Sequence, residues 1–136
     1  MRTLIVEDNA TSRELLVRLL RPFGPCQSRS DGPAALELLK ESLVGGESFD
    51  LICLDVMMPQ MDGHEVLAAF RDLEEEHKVA SSDRCKVLMI TAVDSPSCIE
   101  RARENVIDGY MVKPIRRVSL YDELQRLGLV REYTLA

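Results

Sequence analysis

At 136 residues the chain lies in the usual size range of one domain and can bury a real core. Hydrophobic content of 46% with 29% charged residues is a globular balance, and no apolar stretch approaches the ~20 residues needed to span a bilayer. The net charge of -6 gives no electrostatic reason to expect direct nucleic-acid binding. The first element in chain order is Thr3-Leu4-Ile5-Val6, short, apolar and β-branched, which ends abruptly in Glu7-Asp8-Asn9. Thr11 or Ser12 is expected to cap the following helix, with Leu15, Leu16, Leu19 and Leu20 at helical spacing and Pro22, Gly24 and Pro25 closing it. Cys26 to Ser30 is a weak, polar strand candidate, held mainly because the alternation requires one. Asp31 caps a helix from about Pro33 to Leu43, and Gly45-Gly46 marks a loop.

Phe49 to Val56 is the clearest strand, and its continuous apolar run implies burial on both faces. Asp62 or Gly63 starts a helix through Val66, Leu67, Phe70 and Leu73, ending in Glu74-Glu75-Glu76, which reads as a solvated helix end. A polar connection runs from Glu74 to Arg84. Lys86 to Thr91 is the fourth strand, Pro96 to Glu104 a helix capped by Asp94 or Ser95, Tyr110 to Val112 the fifth strand, and Ser119 to Leu127 the last helix. Strict strand–helix alternation predicts an α/β fold: a doubly wound, five-stranded parallel sheet with five helices, forming one domain over residues 1–136. Right-handed crossovers bring all the strand C-terminal ends to one edge, where such sheets bind ligands.

Four groups of polar residues fall at those ends: Glu7-Asp8, Asp55, Thr91 and Lys113. Crowded carboxylates repel unless a cation relieves them, and a few hard oxygens suit Mg²⁺. Asp55 can then attack phosphorus to form an acyl phosphate. Lys113 neutralises charge on the transferred group, and Thr91 hydrogen-bonds one of its oxygens.

With those residues in place, the chain resembles the receiver domain of two-component response regulators, of the stand-alone, chemotaxis-regulator-like kind, over nearly its whole length. The resemblance rests on Glu7-Asp8, Asp55 followed by Met58-Pro59 and Asp62-Gly63, Thr91-Ala92, and Tyr110 three residues before Lys113-Pro114. It implies a flavodoxin-like (βα)5 fold and a cytoplasmic, phosphorylation-activated switch rather than a turnover enzyme. Asp55 is the implied phosphoacceptor, with a histidine kinase or histidine phosphotransfer protein as donor. It implies Mg²⁺ (or Mn²⁺) held by Asp8, Asp55 and the backbone carbonyl of Met57, with Glu7 acting through water. Lys113 and the backbone of Met57 and Ala92 contact the phosphoryl group, while Thr91 and Tyr110 act as the switch. The implied output is protein–protein contact with an unknown downstream target, through the face made by the 96–104 helix, the fifth strand and the last helix. The molecule is then a monomer or a phosphorylation-dependent dimer, and the Lys113-Pro114 bond is often cis in this family.

The chain departs from the pattern in three places. Met57 and Val93 are apolar where many relatives place polar groups that position a hydrolytic water, so a long-lived phosphate is expected. Val106 stands where a glycine is usual. The Glu74–Arg84 connection is longer than usual and has no assigned purpose.

Other readings bear on the same residues. A haloacid-dehalogenase-type phosphohydrolase also uses an Asp nucleophile with Mg²⁺, but it wants a second Asp where Met57 stands. The chain can equally be a receiver fragment of a larger regulator or hybrid kinase. Met57, Met58 and Met61 read as site lining, and His64 and His77 as surface histidines. Cys26, Cys53, Cys85 and Cys98 make no metal-type spacing and are expected reduced, Cys53 as a buried, inert thiol. The N-terminus passes directly into strand-like sequence, so no signal peptide is expected.

Overall fold

The computed structural model describes residues 1–92 and 107–131. The predicted helix from Pro96 to Glu104, with its caps at Asp94 or Ser95, lies outside them, as do Val93, Cys98 and Val106. The observed order is β1 (Thr3–Val6), α1 (Ala10–Leu20), β2 (Cys26–Arg29), α2 (Gly32–Gly45), β3 (Leu51–Asp55), α3 (Gly63–Glu76), β4 (Lys86–Thr91), β5 (Gly109–Val112) and α4 (Arg117–Arg126). Single 3₁₀ turns, Arg21–Phe23 and Ser81–Asp83, follow α1 and precede β4. The five strands form one parallel sheet in the order β2-β1-β3-β4-β5. The expected doubly wound, flavodoxin-like α/β architecture is therefore observed, with four helices among the described residues.

Alternation along the central strands divides the core in two. On β3, Ile52 and Leu54 join the cluster under α2 and α3, while Leu51 and Cys53 join the cluster under α1 and α4. Each of those four side chains is buried, which is why the run carries no polar residue before Asp55. Burial pushes the Cys53 thiol up to about 12, so it behaves as a small apolar group, as the sequence suggests. β2 has no fully buried side chain because it is an edge strand, and this explains its faint signal.

Local chemistry sets the boundaries, with corrections to the sequence reading. The cap of α1 is Asn9, whose side chain accepts from Ser12 N at 2.9 Å; Thr11 and Ser12 lie inside the helix. Asp31 caps α2 as expected, and Gly46, at φ 74°, supplies the left-handed residue that ends it. Asp62 and Glu65 form a capping box at the start of α3.

Two surface assignments are overturned. Glu74 is only 1% exposed, because Arg71 Nη1 donates to its Oε1 at 2.6 Å and Cys85 N donates to its Oε2 at 3.0 Å. His64 is 2% exposed, because the helix that opens at Gly63 lies down on the sheet from its first turn.

That close approach has a measurable consequence. Gly63 N donates to Val56 O at 2.9 Å, and a Cβ at Gly63 would lie 2.4 Å from Asp55 O and 2.9 Å from Val56 Cα. Both obstructing atoms are backbone, so a methyl group must displace the end of β3. Gly63→Ala is expected to cost about 1–3 kcal/mol in urea unfolding. A loss of a few tenths would show that the helix start is free to move.

Candidate functional site

The C-terminal ends of the five strands lie along one edge, and backbone hydrogen bonds tie β1 to β2, β3 to β4 and β4 to β5 there. Glu7 N donates to Arg29 O at 3.1 Å, Val56 N to Ile90 O at 2.9 Å, and Lys113 N to Thr91 O at 2.7 Å. Residues far apart in sequence thus meet at one edge, as strand order alone implied. Glu7 and Asp55 are buried, at 1% and 3% exposure, whereas Asp8 is exposed. One carboxylate oxygen from each of Glu7, Asp8 and Asp55 falls within 4.8 Å of the others.

Lys113 reaches into this acidic cluster. Its Nζ lies 2.9 Å from Glu7 Oε2, donates to Glu7 Oε1 at 3.2 Å, and stands 3.6 Å from Asp55 Oδ2. Met57 N donates to Asp55 Oδ1 at 3.2 Å, so the Met57 backbone lies against the nucleophile candidate, while its side chain is 60% exposed. Thr91 is fully buried at the end of β4, and Ala92 beside it is exposed. Tyr110 is half-buried and packs on the core cluster under α2 and α3. The Lys113-Pro114 peptide bond is cis.

The sequence reading missed Arg13, whose Nη1 donates to Glu7 O at 2.9 Å and braces the turn carrying the acidic pair. Its position in the first turn of the following helix was the available signal. The direct ion pair between Lys113 and Glu7 was also not foreseen.

Burial and like charge together set the electrostatics of the site. Burial, with the Glu7 charge next in importance, pushes the Asp55 carboxyl up to about 7 against the opposing pull of Lys113 and the Met57 N–H. For Lys113, burial works against the charged form, but the Glu7 hydrogen bond and the two carboxylate charges outweigh it and move it upward. Glu7 Oε2, though beside the ammonium, accepts no aligned hydrogen bond. Three converging carboxylate oxygens are a hard donor set that fits Mg²⁺ or Mn²⁺.

A pH dependence follows from the raised Asp55 carboxyl. The folded protein holds this proton to higher pH than the unfolded chain, so metal-free stability falls as pH rises from about 4 to about 7. Asp55→Asn removes the penalty. Its gain should be about 2 kcal/mol near pH 8 and less than half of that near pH 5, after allowance for solvent screening. Thermal unfolding in chelator at the two pH values measures this. A gain that shrinks as pH rises would contradict it.

The comparisons with known proteins agree with this geometry. The family model for the response regulator receiver domain matches residues 3–125. This chain is a response regulator receiver domain. It is 35% identical over 129 residues to chemotaxis protein CheY-3 of Vibrio cholerae, covering 93% of this chain and 91% of that protein. Among solved structures, Vibrio cholerae chemotaxis protein CheY4 superposes with a TM-score of 0.78 at 28% identity, covering 93% and 97% of the two chains. The receiver domain is also 30% identical to a segment of hybrid signal transduction histidine kinase A of Dictyostelium discoideum, a match over 6% of that much longer protein. The receiver domain is thus a CheY-like module of two-component signalling, a class of switches rather than of turnover enzymes. Among the described residues, no helix is long and apolar enough to cross a membrane.

Proposed function

We propose that residues 1–136 form one receiver that works as a phosphorylation-activated switch in a two-component phosphorelay, with Asp55 as the acceptor. The observation that carries this reading is the convergence of Lys113 Nζ on Glu7 and Asp55, at 2.9 and 3.6 Å, beside three carboxylates within 4.8 Å. Asp8, Asp55 and the Met57 carbonyl would hold Mg²⁺ or Mn²⁺, with Glu7 acting through water, and the cation would supply positive charge to the transferring phosphoryl group.

Asp55 Oδ attacks the phosphorus of a phosphohistidine on a histidine kinase or phosphotransfer protein. The O–P bond forms as the N–P bond breaks, and its electron pair returns to the imidazole. Lys113 and the backbone N–H groups of Met57 and Ala92 receive the charge of the phosphoryl oxygens. Thr91, at the end of β4, turns its hydroxyl to the new phosphate, and Tyr110, on the adjacent strand, responds to the vacated space. Val112 is 40% exposed beside α4, and this surface presents the changed face to a downstream protein in the cytoplasm, as a monomer or a phosphorylation-dependent dimer. The apolar Met57 side chain, where a phosphohydrolase needs an acid, supports a switch over a turnover enzyme.

Intact-mass spectrometry after incubation with acetyl phosphate and Mg²⁺ tests the reading. One added phosphate per chain without continuous release of inorganic phosphate is expected; steady turnover of small phosphate esters would overturn it. Met57 also offers no polar group to align water on the aspartyl phosphate, so the adduct should persist. Met57→Asn should shorten its half-life by roughly tenfold, followed by phosphate release. An unchanged half-life would remove this residue from the control of lifetime.

A further inference from the structure

At the other end of the sheet from the acidic cluster, a cavity of about 180 Å³ opens between α2, α3 and the segment joining α3 to β4. Phe49 and Cys85 in its lining stand just ahead of β3 and β4, at the strand N-termini. The polar connection after Glu74, which receiver chemistry does not use, supplies Val79, Asp83 and Cys85 to it. Leu39 and Leu43 from α2, with Phe49 and Phe70, supply its apolar walls, and Ser42, Ser48 and Glu74 add polar groups. A dry cavity of ~150 Å³ holds a benzene molecule, so this one accommodates a ring with a short arm.

Charge selects the arm. Among the described residues, two carboxylates, Glu74 and Asp83, line the cavity, and no lysine, arginine or histidine does. Glu74 is already compensated by Arg71 at 2.6 Å, whereas Asp83 is exposed and carries its charge to solvent. We propose that this cavity is a binding site for a small aromatic amine, with its ring between Phe49 and Phe70 and its ammonium group at Asp83.

A short chain of contacts runs from the cavity wall toward the signalling half of the molecule. Glu74 holds Arg71, and Arg71 Nη2 lies 3.4 Å from Asp108 Oδ2, which also accepts from Val87 N at 2.8 Å. Asp108 leads directly into β5, the strand that carries Tyr110 and is followed by Lys113.

Phenethylamine and its anionic counterpart phenylacetate are the probes, followed by amide chemical shifts in the full chain. Phenethylamine should give saturable shifts around Phe49, Phe70 and Val79, with affinity about tenfold or more above phenylacetate. Ser42 lines the cavity and bonds only its own helix, at Leu39 O, so Ser42→Leu fills the space without breaking a tertiary contact. That variant should lose the saturable shifts while still taking up phosphate at Asp55. Should Ser42→Leu fail to fold, exposed Asp83→Asn is read instead, and it should abolish the preference for the amine. No saturation at about 10 mM phenethylamine, shifts mapping elsewhere, equal affinity for both probes, or unchanged binding in the variants would each overturn the assignment.

Discussion

Asp55→Asn is expected to give a folded protein that takes up no phosphate. The substitution preserves the shape of a side chain only 3% exposed and the hydrogen bond from Met57 N to its oxygen. It also relieves the burial that raises the carboxyl, so loss of labelling cannot be blamed on unfolding; the variant should melt above the wild type in chelator. An amide oxygen is too weak a nucleophile to displace the donor, and the label from acetyl phosphate should fall by more than about a thousandfold. Asp8→Asn is the informative companion. It keeps the nucleophile but withdraws a carboxylate from the three that lie within 4.8 Å, so phosphorylation should slow by about a hundredfold rather than vanish. Undiminished phosphate on the Asp55→Asn protein, seen by intact mass and peptide mapping, would place the acceptor elsewhere.

Lys113→Ala should separate two roles that one ammonium group fills. In the metal-free protein Lys113 is the cation beside Glu7, a carboxylate with 1% exposure, and its removal leaves that charge buried and unpaired. Complete isolation of such a charge costs about 3–5 kcal/mol, but the lysine is itself 24% exposed and water enters where it stood, so about 2 kcal/mol is expected. Mg²⁺ should return most of that stability, since a divalent ion among the same oxygens answers the same repulsion. It should not return the phosphorylation rate, which should stay about a hundredfold low, because the lost group is the one that meets the transferring phosphoryl oxygens. Urea unfolding with and without Mg²⁺, run beside phosphorylation kinetics, reads the two effects separately. Recovery of both on adding Mg²⁺ would show that Lys113 acts only as a counter-ion.

Much of this site was legible in the amino-acid order because its groups mark strand ends. Val6, Thr91 and Val112 close their strands as the apolar runs indicated, with Glu7 and Lys113 following directly, while β3 runs from Leu51 to Asp55, inside the expected Phe49 to Val56. The short, edge-positioned β2 was the faintest strand because an edge buries little and therefore constrains its residues little. The cap at Asn9 was misplaced by two or three residues for a simple reason: Asn9, Thr11 and Ser12 are all competent caps, and only the actual path of the chain after Glu7-Asp8 selects among them.

The local patterns by themselves determined the alternating order of strands and helices, the parallel sheet that order demands, and the set of acidic and basic residues delivered to its edge. Periodicity and β-branching act within a few residues, and right-handed crossovers do the rest. Only the tertiary structure decided that Lys113 pairs with Glu7 as well as Asp55, that Glu74 turns inward to Arg71 and Cys85, and that His64 is covered. Those outcomes depend on which side chains stand across a gap closed by elements tens of residues away, and burial is a property of the assembled surface that no stretch of sequence carries alone.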